Sequence, residues 1–484
     1  MIWEDIKPNV EYVLNFPRQQ RVNDVVDGEY RLKKRDEEKP GTYLRVINPL
    51  DVSDYNKRLN ASYRKSAILY NATGRTLIGL LGMLYRVEPT IPELPELMEY
   101  IETDIDGNGM GINQQSHAVS SEVIKIGRHG LLTDIPIKKE GKEEKPTTIA
   151  DVQNGFRPFT KKYNATDIID WNQSSINGMM TLDLVVLLEM VSIFADEHRI
   201  KREIKKRYRI LRLTEGKYTQ QLWVEGDDSP GEEIEIIDGS GEPWDEIPFE
   251  FIGSENNDPS IDFAPLESLT DVNIGHYRNS ADLEHSSFQL SAATPWIADD
   301  RYSSVQSNPN KKDTNTQKFG ETSIIVMGNG GQFGYAQPSP NVLANDLAKN
   351  KEQQMVALGA QLISEGGGTE TAEAVRTKKA ADTSMLSIVG INVSNGYTKS
   401  LGWIARFLNV DFKGEYQLNK NFFDSKLTPQ ERQQIVVEWQ SGLYSVRIAR
   451  KQLQASNVIS SDEDLGKLQV EVDGELPGVD LGGE

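Results

Sequence analysis

IPFEFIGSENNDPSIDFAPLESLTDVNIGHYRNSADLEH, residues 247–285, runs through three kinds of element without a break. Its opening, IPFEFIG, is an apolar and aromatic run of the buried-strand type. SENNDPSID is a polar loop. From Pro265, a residue suited to the first turn of a helix because its missing N–H does no harm there, the pattern predicts a helix to about Leu290. The outer faces of that helix would carry Asp271, Asn273, His276, Arg278, Asp282, Glu284 and His285. Such a helix is too long and too mixed in polarity for an ordinary core helix, which points to assembly more than to catalysis.

Downstream, ATPWIADD to about residue 338 reads as a polar loop and a small β module, with Ile324–Met327 as its firmest strand. Ser339-Pro340 is a cap and first-turn pair that opens a second long helix over about 341–363. EGGG, Glu365–Gly368, breaks it. A third long helix runs from about Thr371 to Leu408, with Leu386, Val389, Val393, Tyr397, Leu401, Ile404 and Leu408 on one face at three- and four-residue steps. A strand over Glu415–Leu418 follows, then a capping box, Thr428–Glu431, that opens a helix ending near Gly442. A short helix from Ser445 comes next, then an acidic, glycine-bearing tail from Ser461 expected to be disordered or loosely docked.

Upstream, residues 156–252 predict a run of strands: FRPFTKKY, IIDWNQ, TLDLVVLLEMVSIF, RYRILRL, KYTQQLWVEG, EEIEIID and IPFEFIG, with turn signals between. TLDLVVLLEMVSIF also fits a helix; its neighbours favour strand. Residues 1–45 suggest an arm and a first helix or strand. Apolar spacing over Tyr63–Tyr85 predicts one helix, and Pro89, Pro92 and Pro95 a break. Residues 96–136 read as helix, loop, helix and a short strand with Gly130 at the turn, and 138–146 as a charged hairpin tip. No internal repeat is visible.

Composition narrows the function classes. With 484 residues the chain can hold two to four domains or one elongated subunit. Mean hydropathy is −0.51 and no run reaches the roughly 18 apolar residues of a membrane span. The opening MIWEDIKPNV lacks the layout of a secretion signal, so export is not expected. Cysteine is absent, which removes disulfides and thiolate chemistry and suits assembly in a reducing cytoplasm. The net charge of −20 is unlike that of a free nucleic-acid binder, yet it fits a wall along which DNA slides, since many phosphate contacts would grip. It also simply keeps a large particle soluble.

Catalytic patterns are weak. His117, His129, His198, His276 and His285 form no HExxH spacing and read as polar surface or interface residues. The glycine-rich pieces lack the phosphate-cradling GxxxxGK[ST] pattern. Asp104 with Asp106, or Asp227 with Asp228, could hold a cation, although solvated loop carboxylates are the commoner case. One cluster keeps two readings: Lys349 and Lys351 before the glycine linker and Arg376, Lys378 and Lys379 after it are either a solvated helix face or a sparse set of cations presented to a polyanion.

The order of elements resembles the portal protein of tailed bacteriophages, and in particular a portal family of short-tailed phages long catalogued as a domain of unknown function. The carrying segments are Tyr70–Arg86 (YNATGRTLIGLLGMLYR), Ile126–Pro136 (IGRHGLLTDIP), Ile168–Trp171 (IIDW), Tyr208–Leu213 (YRILRL), Ile247–Asp258 and Asp271–His285 (DVNIGHYRNSADLEH). The resemblance implies an α+β, portal-type subunit with a β-rich and helical wing, a two-helix stem, a small β clip, a long wing helix and a short helical crown. Its parts would be a wing (1–263), first stem helix (264–290), clip (291–338), second stem helix (339–364), tunnel loop (365–372), wing helix and strand (373–424), crown (425–460) and acidic tail (461–484). It further implies a ring of twelve copies at one capsid vertex, forming the channel for packaging and ejecting double-stranded DNA, without cofactor, metal or catalysis.

Partners implied by the resemblance are the terminase large subunit, the head–tail adaptor and tail proteins, the major capsid protein and scaffold, with no membrane. The location would be the virion, after assembly in the host cytoplasm. The tunnel loop and channel would use Glu365, Gly366, Gly367, Gly368, Lys349, Lys351, Arg376, Lys378 and Lys379. Stem contacts between subunits would use Tyr277, Arg278, Asp282, Glu284 and His285, and the clip Trp296, Lys311, Lys312 and Lys318. The competing readings are another head–tail connector or tail protein, and an uncharacterised metal-dependent enzyme centred on Asp104 and Asp106.

Overall fold

A computed structural model describes residues 6–136, 155–176, 178–194, 198, 200–291, 294–298, 331–336, 342–361, 385–419, 429–441, 443 and 445–449. The fold is α+β. It divides into two compact units, Met1–Leu418 and Asn419–Glu484. In the second, a helix over Pro429–Gln440 presents Val437 and Trp439 to solvent.

The first unit begins with helices: α1 (Val10–Val26), α2 (Glu29–Glu38), α3 (Asp54–Ser66), α4 (Ala72–Leu84), α5 (Ile101–Asp104) and α6 (Ile112–Ile126). The arm expected at the N-terminus is therefore two helices, hinged at Gly28. The single helix expected over 63–85 is two. Ala67 is extended, and the Asn71 side chain accepts the Gly74 N–H at 2.8 Å, a cap that starts a new helix. Ile68, one of the apolar residues whose spacing suggested that helix, is 54% exposed.

Strands β1 (Arg128–Asp134), β2 (Phe159–Asn164), β3 (Ile168–Ile176), β4 (Met179–Phe194), β5 (Arg202–Thr214), β6 (Lys217–Val224), β7 (Ile234–Glu235) and β8 (Phe249–Gly253) follow. They make a three-stranded sheet, β2-β1-β8, and a five-stranded meander, β3-β4-β5-β6-β7. All these pairs are antiparallel. TLDLVVLLEMVSIF is strand, as its neighbours suggested. The turn into β1 is at Gly127, a left-handed helix cap with φ 79°. Gly130 sits within the strand instead, where an added Cβ would lie 2.4 Å from the Phe249 ring.

Next come α7 (Glu267–Ser291), the strand pair β9 (Thr294–Ala298) and β10 (Gln332–Ala336), α8 (Val342–Gln361) and α9 (Met385–Leu408). The expected strand Ile324–Met327, the Ser339-Pro340 cap, the charged tip at 138–146, the residues 371–384 of the third helix and the acidic tail fall outside the described residues, as does Thr428 of the capping box. Residues 415–418 form one bridge, Thr90↔Gln417, not a strand.

The apolar face expected on α9 is buried: Leu386, Val389, Val393, Tyr397, Leu401 and Ile404 are all 0% exposed. Trp403 and Phe407 enter a core shared with both sheets, containing Leu132, Trp171, Leu187, Trp244 and Phe251. Phe407 stacks on Trp244 at 4.1 Å. Below this face lies a polar bridge. Ser400 Oγ is 2.8 Å from Thr133 Oγ1 and 2.7 Å from Thr160 Oγ1, while Tyr397 Oη donates to Gln115.

Glu189 of β4 is the main charge inside the fold. It lies 6% exposed and accepts from Lys161 and Tyr163 of β2 and from Arg207 and Arg209 of β5. Arg209 also reaches Asp134 of β1, whose other oxygen accepts from Gln220. Burial by itself would raise the Glu189 pKa; Arg209, Lys161 and Tyr163 overcome it and hold the carboxyl well below its ordinary range.

Removing an ion from such a cluster strands its partners. Glu189→Leu should lower unfolding free energy by about 3–5 kcal/mol, read by denaturant titration. Because the folded carboxyl is depressed, its contribution is complete above the ordinary value near 4.5 and fades as pH falls below it. Wild type should therefore lose more stability than the variant on acidification in that range.

Candidate functional site

The sequence singled out α7, and the fold shows why its faces are polar. A second core, with Val25, Leu32, Tyr63, Ile274, Tyr277 and Ala281, packs its first half against α1–α3. Charged and polar partners surround that core. Glu267, 7% exposed, accepts from Arg18 and Arg21, and Arg21 also pairs with Asp271. Asn273, 0% exposed, accepts from the Thr73 N–H at 3.1 Å and Oγ1 at 3.0 Å and donates to the Tyr70 carbonyl at 2.7 Å. One side chain thus seats α4 on α7.

The residues expected at contacts between subunits largely serve this chain. Tyr277 is fully buried in its core, so its placement at a stem interface is corrected. Arg278 donates from Nε to the Tyr43 carbonyl at 2.7 Å. Asp282 accepts from Arg45 at 2.9 Å and Tyr63 Oη at 2.7 Å. His285 meets the Tyr63 ring edge-on at 5.4 Å. Glu284 is exposed. The mixed polarity of the helix is explained in large part by these internal bonds.

α7 leads into β9, and β10 leads towards α8. Because β9 and β10 pair antiparallel, α7 and α8 run in opposite directions. They meet at Gly275, where an added Cβ would lie 3.1 Å from the Lys351 side chain. Lys351 Nζ donates to the Gly275 carbonyl at 3.2 Å, and burial, with Arg278 nearby, pushes its pKa down. The cation expected on a channel wall is therefore a helix-packing residue. Lys349, two positions away, is exposed. His276 lies 3.2 Å from Glu352. On its other side α8 faces α4 across a cleft of about 300 Å³ lined by Tyr70, Thr76, Leu80, Met83, Met355 and Val356.

At the far end, Trp296 of β9 is 43% exposed and covers Gly334 of β10, where a Cβ would come within 2.8 Å of its ring. Lys311, Lys312, Lys318, Glu365, Gly366, Gly367, Gly368, Arg376, Lys378 and Lys379 lie outside the described residues.

The carboxylates proposed for a metal are otherwise engaged. Asp104 pairs with Arg157 and accepts the Gly109 N–H; Asp106 accepts from the Asn108 and Met110 N–H groups. A guanidinium in contact with Asp104 competes with any divalent ion there. Among the described residues, no three His, Asp or Glu are grouped to hold a metal. His129 is not a surface residue: it is fully buried in β1, and burial, helped by Lys162 and Lys125, pushes its pKa down to about 3.

Sequence reasoning put Asn273 on an outer face, where the structure buries it, and missed Glu267 and the Glu189 cluster. Each is a polar residue inside an otherwise readable pattern, and only its partners, 18–28 positions away for Glu189 and 200 or more for Asn273 and Glu267, reveal its role.

A family model described as a domain of unknown function (DUF4055) matches residues 265–408, the stretch from the start of α7 to the end of α9. No curated protein matches. Among solved structures, the chain is similar to one described as the neck of an empty GTA particle computed with C6 symmetry, at 13% identity over 81% of this chain and 92% of that one, with a TM-score of 0.38; a likeness at that level carries no argument about function.

Proposed function

We propose that this chain is the subunit of a phage portal, a closed ring at one capsid vertex through which double-stranded DNA is packaged and ejected. The observation that carries the reading is the excursion Glu267–Gln361. A long helix rooted in α1–α4 leaves the core, passes through a small β pair and returns as an antiparallel helix, and α9 then threads the body beneath both sheets. A portal built from this chain would use these elements, in this order, as its stem, clip and wing helix. A ring repeats each exposed group once per subunit, so one outward lysine such as Lys349 becomes a belt of charge. DNA contact of this kind is weak and independent of sequence. Terminase, the head–tail adaptor, scaffold and major capsid protein are the partners that the reading assigns. An enzyme centred on Asp104 is disfavoured by its ion pair with Arg157.

Electron microscopy with light scattering on the purified full chain tests this directly. Twelve copies of 54.3 kDa give a closed ring with a central hole and a mass of about 650 kDa. A chain that stays monomeric even with its scaffold and capsid proteins overturns the reading; a ring of another number that never binds terminase favours a different head–tail connector. Within the ring, alanine at Gly366, Gly367 and Gly368 should leave assembly intact and lower packaging, because a loop that yields to moving DNA needs glycine's freedom. Lys349→Ala should weaken retention of DNA in the ring and reduce its salt dependence, whereas Lys351→Met, inside the helix pair, should leave both unchanged.

A further inference from the structure

The β4–β5 hairpin continues past the Glu189 cluster into a part that no core formed by the described residues covers. Here Met190 is 62% exposed, Phe194 40% and Ile204 70%. The adjoining sequence HRIKREIKKR, residues 198–207, has six Lys or Arg against one Glu, in a chain of net charge −20. Cross-strand pairing sorts these residues. Phe194 opposes Arg202, Ser192 opposes Ile204, and Met190 opposes Lys206. Directly opposed residues share a face, so one face of the hairpin end combines Met190, Phe194 and Ile204 with the two cations. The Arg202 guanidinium lies 5.2 Å over the Phe194 ring.

A surface of opposite sign lies on the segment between the proline break and α6. The bonds Met98 N–H to Pro95, Glu99 N–H to Glu96, Glu102 N–H to Glu99 and Thr103 N–H to Tyr100 all span three residues. Three-residue turns bring every third side chain onto one line. Glu96, Glu99 and Glu102 are spaced that way and are all exposed. Glu96 opens a 3₁₀ turn and Glu102 lies in α5, so Glu96 to Glu102 covers about 9–12 Å at 1.5–2.0 Å per residue. Arg202 to Lys206, two steps along one face of a strand, covers about 14 Å at 3.4 Å per residue. The two charge rows are therefore opposite in sign and comparable in length.

We propose that the apolar and basic face of the β4–β5 hairpin docks on the Glu96–Glu99–Glu102 ridge of a second copy of this chain. The contact is head-to-tail: hairpin of one subunit, ridge of the next. Such a contact closes into a ring when the rotation between copies permits. The inference rests on the portal reading and adds to it the surfaces that join one subunit to the next.

The chain contains no cysteine, so an introduced pair reports on the contact without background. In Ile204→Cys/Glu99→Cys, oxidation should link subunits into a ladder of multimers on a non-reducing gel, while each single variant stops at dimer. In parallel, Arg202→Glu/Lys206→Glu should reduce the ring fraction at least tenfold by light scattering, with an unchanged melting temperature. Adding Glu96→Lys/Glu102→Lys to the same chain should restore it. Rings that form normally from the hairpin variant overturn this contact and leave the portal reading standing, and they do so equally if that variant loses affinity for DNA. Loss of rings without rescue and without a ladder overturns the ridge as the docking site. Wild-type chain that forms no ring under any assembly condition removes the portal reading and this contact with it.

Discussion

A carboxylate buried where two sheets meet sets the terms for this fold. Glu189 comes from β4 and its cations from β2 and β5, while Arg209 continues to Asp134 on β1. One group therefore ties the three-stranded sheet to the five-stranded one. It also fixes register. A one-residue slip of β4 would turn Glu189 away from its cations and bring neighbouring apolar residues out of the core. Desolvation makes the wrong register costly, because Arg209 would remain buried without a counter-charge. The faces of everything farther along the hairpin, including Phe194, Arg202 and Ile204, follow from that register.

A similar logic governs the helical side. Glu267 with Arg18 and Arg21, Asn273 with Thr73 and Tyr70, and Asp282 with Arg45 and Tyr63 hold the first two-thirds of α7 to the N-terminal helices. An unpaired Asn273 would cost the desolvation of its amide, so the helix has one favourable seat. The root of the excursion is rigid for this reason.

How much of this could be read in the sequence depended on range. The α9 stripe was legible because burial repeats at helical spacing over six turns. β4 was legible only through its neighbours, since an apolar run of its length suits either element. Local patterns failed where one side chain overrides the period, as the Asn71 cap does in cutting 63–85 into α3 and α4. They failed again where the decisive partner is remote. Lys351 looks like any solvated cation until Gly275, 76 positions earlier, lies against it, and His129 looks like a surface residue until β8 and β2 close over β1. The order of helices and strands was largely visible because it needs only element type and sequence. The candidate site was half visible because exposure, which separates Lys349 from Lys351, is a property of packing.

In the proposed ring the acidity of the chain is at first sight an obstacle to packing copies side by side, since twelve copies at −20 each would carry about −240 charges. Screening changes the problem. At physiological ionic strength the Debye length is about 8 Å, far less than the breadth of a 54.3 kDa subunit. Charges on remote faces of two neighbours hardly interact, and the sign of the surfaces that touch decides whether they attract. A chain can then be strongly acidic overall, which would discourage DNA from adhering to a channel, provided that some of its cations are gathered where subunits meet. The proposed contact would meet that condition, because Arg202 and Lys206 share one face of the hairpin end, a surface small enough to be covered by a single neighbour.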